Sequence, residues 1–88
     1  MEIVGKISEF TPVESGTSTR GEWKKRQVVI KTLDQNPVDI AFTAMGKHLD
    51  EVEPFVIGDI VRVRFGVSSR KYEDKWFSDV ALWGMQKA

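Results

Sequence analysis

The chain has 88 residues, 41% of them hydrophobic and 30% charged, with thirteen basic residues balancing thirteen acidic ones. A chain of this length has apolar surface for one core, which excludes a second catalytic domain, and its composition indicates neither disorder nor a membrane span. Cysteine is absent and His48 is the single histidine, so no disulfide framework, thiolate nucleophile, zinc ribbon or metal cluster is expected.

In chain order, "EIVGKISEF" is an Ile/Val-rich run around Gly5 and predicts a first strand. It lacks the basic and long apolar regions of a signal peptide, and no later run approaches the roughly 18 apolar residues of a spanning helix. A cytoplasmic protein with no membrane partner is expected. "TPVESGTSTRGE" is rich in Pro, Gly, Ser and Thr and predicts a long loop. "WKKRQVVIKT" alternates, with Val28 and Ile30 on one side and Trp23, Lys25, Gln27, Val29 and Lys31 on the other. "LDQNP" is a turn, after which "VDIAFTAM" places Val38, Ile40, Phe42 and Ala44 together, opposite Asp39, Ala41, Thr43 and Met45.

"GKHLDEVEPF" is the one plausible helix, about two turns long. Leu49 and Val52 share a face, Asp50, Glu51 and Glu53 face water, and Pro54 stops its continuation. His48 beside these carboxylates is expected to be solvated. "VIGD" turns into "IVRVRFGVSS", where Val61, Val63, Phe65 and Val67 alternate with Arg62, Arg64 and Gly66. A loop through "SSRKYEDKWF" leads to a last strand, "KWFSDVALWGM", whose apolar residues fall on both parities and leave its faces unassigned.

The neutral total conceals a segregation of charge. Residues 20–31 carry a net +4 from Arg20, Lys24, Lys25, Arg26 and Lys31 against Glu22, and residues 62–75 a net +3, leaving −7 on the remainder. If the fold joins the two basic segments, they form one positive groove.

Three strands, a short helix and two more strands give an all-β, single-domain chain over residues 1–88. That is the order of a five-stranded Greek-key OB-fold barrel plugged by its helix, with small SH3-like barrels as rivals on order alone. The stretch "FTAMGKHLDEV", followed by "IGDIVRVRFGVSSRKYED" and "FSDV", resembles the bacterial single-stranded DNA-binding proteins. Met45, Gly46 and Lys47 match one part of that pattern; Gly58, Val61, Val63, Arg70, Tyr72, Asp79 and Val80 match the rest. The length, Trp23 followed by basic residues, and "KWFSDVALW" are more similar still to a family of short stand-alone bacterial proteins, domain of unknown function 3127.

The resemblance implies an OB fold and a single-stranded DNA partner, bound independently of sequence by stacking and phosphate neutralisation. The family's stacking aromatic before Gly-Lys corresponds to Met45, which lacks a flat π-face, and its loop aromatic to Tyr72. An aromatic further back would fall near Asp39, a second departure. Trp23 compensates from its own strand if the parity it shares with Lys25 and Lys31 is the outer face, beside Thr43 and Met45. Arg70, Lys71 and Lys75 are expected phosphate contacts, Tyr72 and Trp76 stackers, and Arg20 in the first loop is expected to face them; Lys47 joins the set through the motif. Lys24, Arg26, Arg62 and Arg64 are read as solvating the sheet, and Phe10, Phe42, Phe55, Phe65, Phe77 and Trp83 as packing.

No Walker loop, dinucleotide fingerprint, nucleophile elbow or triad is present, so neither catalysis nor a cofactor is expected. Two rivals stay open: RNA in the same groove, and a protein-interaction or assembly module that retains only the fold. A lone barrel has a short footprint, so tight binding is expected from a homodimer or homotetramer. The ending "LWGMQKA" has no acidic tail, so recruitment of other proteins by that route is not expected.

Overall fold

Every alternating segment predicted as a strand forms one in the computed structural model, which describes residues 1–19 and 21–88. The elements are β1 (Glu2–Phe10), β2 (Glu14–Ser18), β3 (Gly21–Thr32), β4 (Asp39–Met45), α1 (Lys47–Val52), β5 (Ile60–Tyr72) and β6 (Lys75–Lys87). β1 pairs antiparallel with both β3 and β5, β5 with β6, and β3 with β4, while β4 and β6 meet in parallel at Thr43↔Ala81. The circuit β1–β5–β6–β4–β3–β1 is therefore closed, a five-stranded barrel of OB type.

β1 makes this closure possible because it pairs on both edges: Gly5 faces Thr32 on one side and Val61 on the other. A Cβ at Gly5 would collide with the Ile30 side chain and the Lys31 carbonyl, so the strands approach here as only glycine allows. Inside the ring lie Ile7, Val28, Ile30, Phe42, Ala44, Val61, Val63 and Leu82, all buried, so each barrel strand contributes. Val52 of α1 completes the core and Leu49 packs beside it. Phe42 meets Phe65 edge to face, with ring centroids 5.1 Å apart.

The structure corrects several expectations. The Ser/Gly/Thr segment is a sixth strand, not a loop: β2 pairs with the start of β3 from Glu14↔Lys25 to Ser18↔Gly21, forming an arm that extends the sheet beyond the barrel. Such a strand, with no buried face, has no reason to alternate apolar and polar residues. Val38 precedes β4 and is exposed. His48 is half-buried, and its Nδ1 lies 3.2 Å from the Glu51 carboxylate. Arg26 does not merely solvate the sheet: its Nε donates to the Thr11 carbonyl at 3.0 Å and its guanidinium lies over Phe10, latching the end of β1 to β3.

The ambiguous last strand has a specific cause. Along the β5–β6 ladder Arg64 pairs with Gly84 but Phe65 pairs with Leu82, so Trp83 is an extra residue, a β-bulge. Val80 and Leu82 reach the core before it and Met85 after it, on opposite parities. The bulge turns Trp83 outwards, 54% exposed, instead of into the core.

Gly46 joins β4 to α1 with φ 58° and ψ −126°, a conformation that side chains other than glycine's resist, although the space around it is open. Gly46→Ala is expected to lower stability by about 1–3 kcal/mol through backbone strain, read as a lower urea midpoint at unchanged m-value.

Candidate nucleic-acid interface

The alternation of β3 turns Val28, Ile30 and Thr32 inwards, so Trp23, Lys25 and Gln27 fall on the outer face. β4 aligns Met45 with Lys25 and Thr43 with Gln27. Thr43 is in turn the residue that meets Ala81 of β6. The outer face thus runs without a break from the β2–β3 arm across β3 and β4 to β6 and β5.

Three concavities share Lys25 on this face. One lies under the β2–β3 arm beside Trp23 and Met45, a second runs towards Pro12 and Gln27, and the third, about 420 Å³, reaches Arg70, Asp79 and Trp83. Arg70 also borders a fourth, at the hairpin tip, with Lys71, Tyr72 and Phe77. Together they form a track along which Trp23, Lys25, Thr43, Met45, Arg70 and Tyr72, all predicted from sequence, are brought together.

The tryptophans on the track are held by glycines. Gly16 pairs with Trp23, and the indole occupies the space that a side chain at Gly16 would need. The Trp83 indole does the same over Gly66, which pairs with Ala81. Lys25 Nζ lies 5.4 Å from the centroid of a Trp23 ring and 3.9 Å from the Glu14 carboxylate, so the cation is positioned by an aromatic and an acid at once.

The segment "SSRKYEDKWF" is no open loop. β5 and β6 stay paired to Tyr72↔Lys75, and only Glu73 and Asp74 turn the chain, both with positive φ (49° and 63°), as in a type I′ hairpin. The result is a ribbon with two faces. Arg70, Tyr72, Lys75 and Phe77 share the face that continues the outer surface; Lys71 and Trp76, a register pair, share the opposite one. Trp76 is 68% exposed there, and Lys71 Nζ reaches Asp74 at 4.0 Å. Phe77, assigned to packing from sequence, is 46% exposed beside Arg70.

Two further predicted residues stand apart. Lys31 pairs with Asp39 and Lys6, six residues down β3 from Lys25, about 20 Å away at strand spacing. Lys47 opens α1, exposed, two residues from Met45. Arg20 lies outside the described residues. Sequence reasoning missed Trp83, Phe77 and His48 as groove residues. The one available signal for Trp83 was the switch of apolar parity between Leu82 and Met85.

Among the described residues no helix is long and apolar enough to cross a membrane. The fold is similar to that of a small single-stranded DNA-binding protein from Streptomyces coelicolor, at 15% identity and a TM-score of 0.51, covering 100% of this chain and 92% of that one. No curated protein matches the sequence. The sequence pattern of the domain of unknown function DUF3127 matches residues 2–86, and the chain belongs to that family.

Proposed function

We propose that this protein is a non-enzymatic module that binds single-stranded DNA along the outer track, stacking bases on Trp23, Trp83 and Tyr72 and neutralising phosphates with Lys25, Arg70 and Lys75. The observation that carries this reading is the continuity of the track, which alternates aromatic surface, exposed at Trp83 and Tyr72 and half-buried at Trp23, with cations on one face of an OB barrel. Single-strand binding needs both: π-faces accept any base, and cations follow the backbone. The similarity in fold to a single-stranded DNA-binding protein supports it. Along most of the track binding is independent of sequence, because stacking is indifferent to base identity and the cations meet phosphates.

Lys71 and Trp76 contribute from the other face of the ribbon only if the strand wraps its tip, and Lys47 only if it bends towards α1. The same groove accepts RNA, and a competition between DNA and RNA strands of one sequence ranks the two. A protein-interaction role is favoured by one feature, the Glu14 carboxylate that already engages Lys25. One barrel covers about 4–16 nucleotides, so we include a homodimer or homotetramer in the proposal, tested by solution mass.

Two measurements separate stacking from charge. Trp23→Ala or Trp83→Ala is expected to weaken binding of a labelled oligothymidine by about 1–3 kcal/mol at every salt concentration. Lys25→Ala or Arg70→Ala is expected to reduce the slope of log K against log salt by about 0.7 each, the single-strand value per phosphate contact. All four variants binding like the parent would contradict the proposed track. Gly66→Val is expected to displace the Trp83 indole and to weaken binding as Trp83→Ala does, seen together with a changed tryptophan emission spectrum.

A further inference from the structure

Three acids line the track, Glu14 and Glu22 on the β2–β3 arm and Asp79 in the concavity that Lys25 and Arg70 share, where its charge has the wrong sign for a phosphate groove. Asp79 pairs with Ser68 on the outer face of the β5–β6 ribbon, next along that face from the Gly66↔Ala81 pair over which the Trp83 indole sits. It lines the 420 Å³ concavity with Lys25, Thr43, His48, Arg70 and Trp83. Among the described residues its carboxylate has no hydrogen-bond or ion-pair partner, and neither Lys25 nor Arg70 comes within ion-pair distance of it. The concavity therefore presents two acceptor oxygens without protein partners among the described residues, beside an exposed indole and with cations on its other borders.

We infer that Asp79 reads the edge of a base stacked on Trp83 and makes this one position of the track prefer guanine and disfavour thymine or uracil. The inference rests on the single-strand reading above and adds a base-discriminating position to it. A carboxylate repels the sugar–phosphate chain, which keeps the backbone on the Lys25 and Arg70 side and turns base edges towards Asp79. An ionised carboxylate only accepts hydrogen bonds. Guanine offers two adjacent donors on its Watson–Crick edge, N1–H and the N2 amino group, which match two carboxylate oxygens. Adenine and cytosine offer one amino group beside a ring acceptor. Thymine and uracil offer a single N3–H between two carbonyl oxygens, which face the carboxylate unfavourably. Guanine also carries O6 and N7 acceptors, within the chemistry of an arginine such as Arg70.

The test is fluorescence anisotropy of labelled single strands of equal length, oligothymidine against alternating thymine–guanine, with the intact protein and with Asp79→Asn. Asparagine keeps the shape but exchanges one acceptor for a donor, and Asp79 is exposed and unbonded, so the variant is expected to fold. The parent is expected to bind the guanine-containing strand at least ~5-fold more tightly, the lower end for a bidentate base contact. Asp79→Asn is expected to lose that preference while binding oligothymidine as well as or better than the parent. Equal affinity of the parent for both strands, or an undiminished preference in Asp79→Asn, overturns the inference and leaves the single-strand reading standing. Failure of the folded parent to bind either strand overturns both.

Discussion

The double pairing of β1 is the constraint on which the rest of the structure depends. A chain this short cannot bury a wide two-layer core, and a flat sheet of its strands would leave one face wet. By pairing with β3 along one edge and β5 along the other, with Gly5 at the crossing, β1 curls the sheet into a ring that encloses its own apolar face. Closure has a second consequence. The outer faces of β3, β4, β6 and β5 become one continuous curved surface, and the two basic segments, far apart in sequence, meet across it at Lys25 and Arg70.

A single inserted residue then divides β6 between two tasks. Before Trp83 the strand gives Val80 and Leu82 to the core; after it, Met85. An unbulged strand would keep one parity throughout, with either Trp83 inside the barrel or the core contacts on one side of it lost. The bulge retains the contacts on both sides and places a large aromatic surface outside, over a glycine that leaves room for it. Trp23 over Gly16 repeats the device on the β2–β3 arm. In both places the pairing of a large ring with a small cross-strand neighbour, not an apolar pocket, holds the aromatic at the surface.

Much of this was legible in the sequence. Alternation around Val28 and Ile30, around Ile40, Phe42 and Ala44, and around Val61, Val63 and Phe65 marks strands with one buried face, because burial imposes period two, and Pro54 after an amphipathic turn marks the end of a short helix. Parity puts Trp23 with Lys25 and Thr43 with Met45, and the register of β3 on β4 brings the two pairs side by side. What stayed hidden lacked a burial pattern. β2 has no inward face, so its Ser, Gly and Thr residues look like a loop. The Glu73–Asp74 turn is not the Asn-Gly or Asp-Gly pair that announces a type I′ hairpin, so a tight ribbon looked like an open loop and its two faces, with Trp76 and Tyr72 on opposite sides, were not separable. Trp83 and Phe77 were assigned inside because large aromatics are mostly buried, a rule that neither a bulge nor a ribbon extending past the barrel obeys.

The three tryptophans make the central claim directly observable, since each indole N–H gives its own nuclear magnetic resonance signal. Two of them, Trp23 and Trp83, lie on the proposed track, and the third, Trp76, lies on the opposite face of the ribbon. Titration of the labelled protein with a short oligothymidine is predicted to shift the Trp23 and Trp83 signals together with the backbone amides of Lys25, Thr43, Met45 and Arg70, leaving the Lys31 amide in place. An unchanged spectrum, or shifts gathered at Lys31 and the far end of β3, would contradict the account.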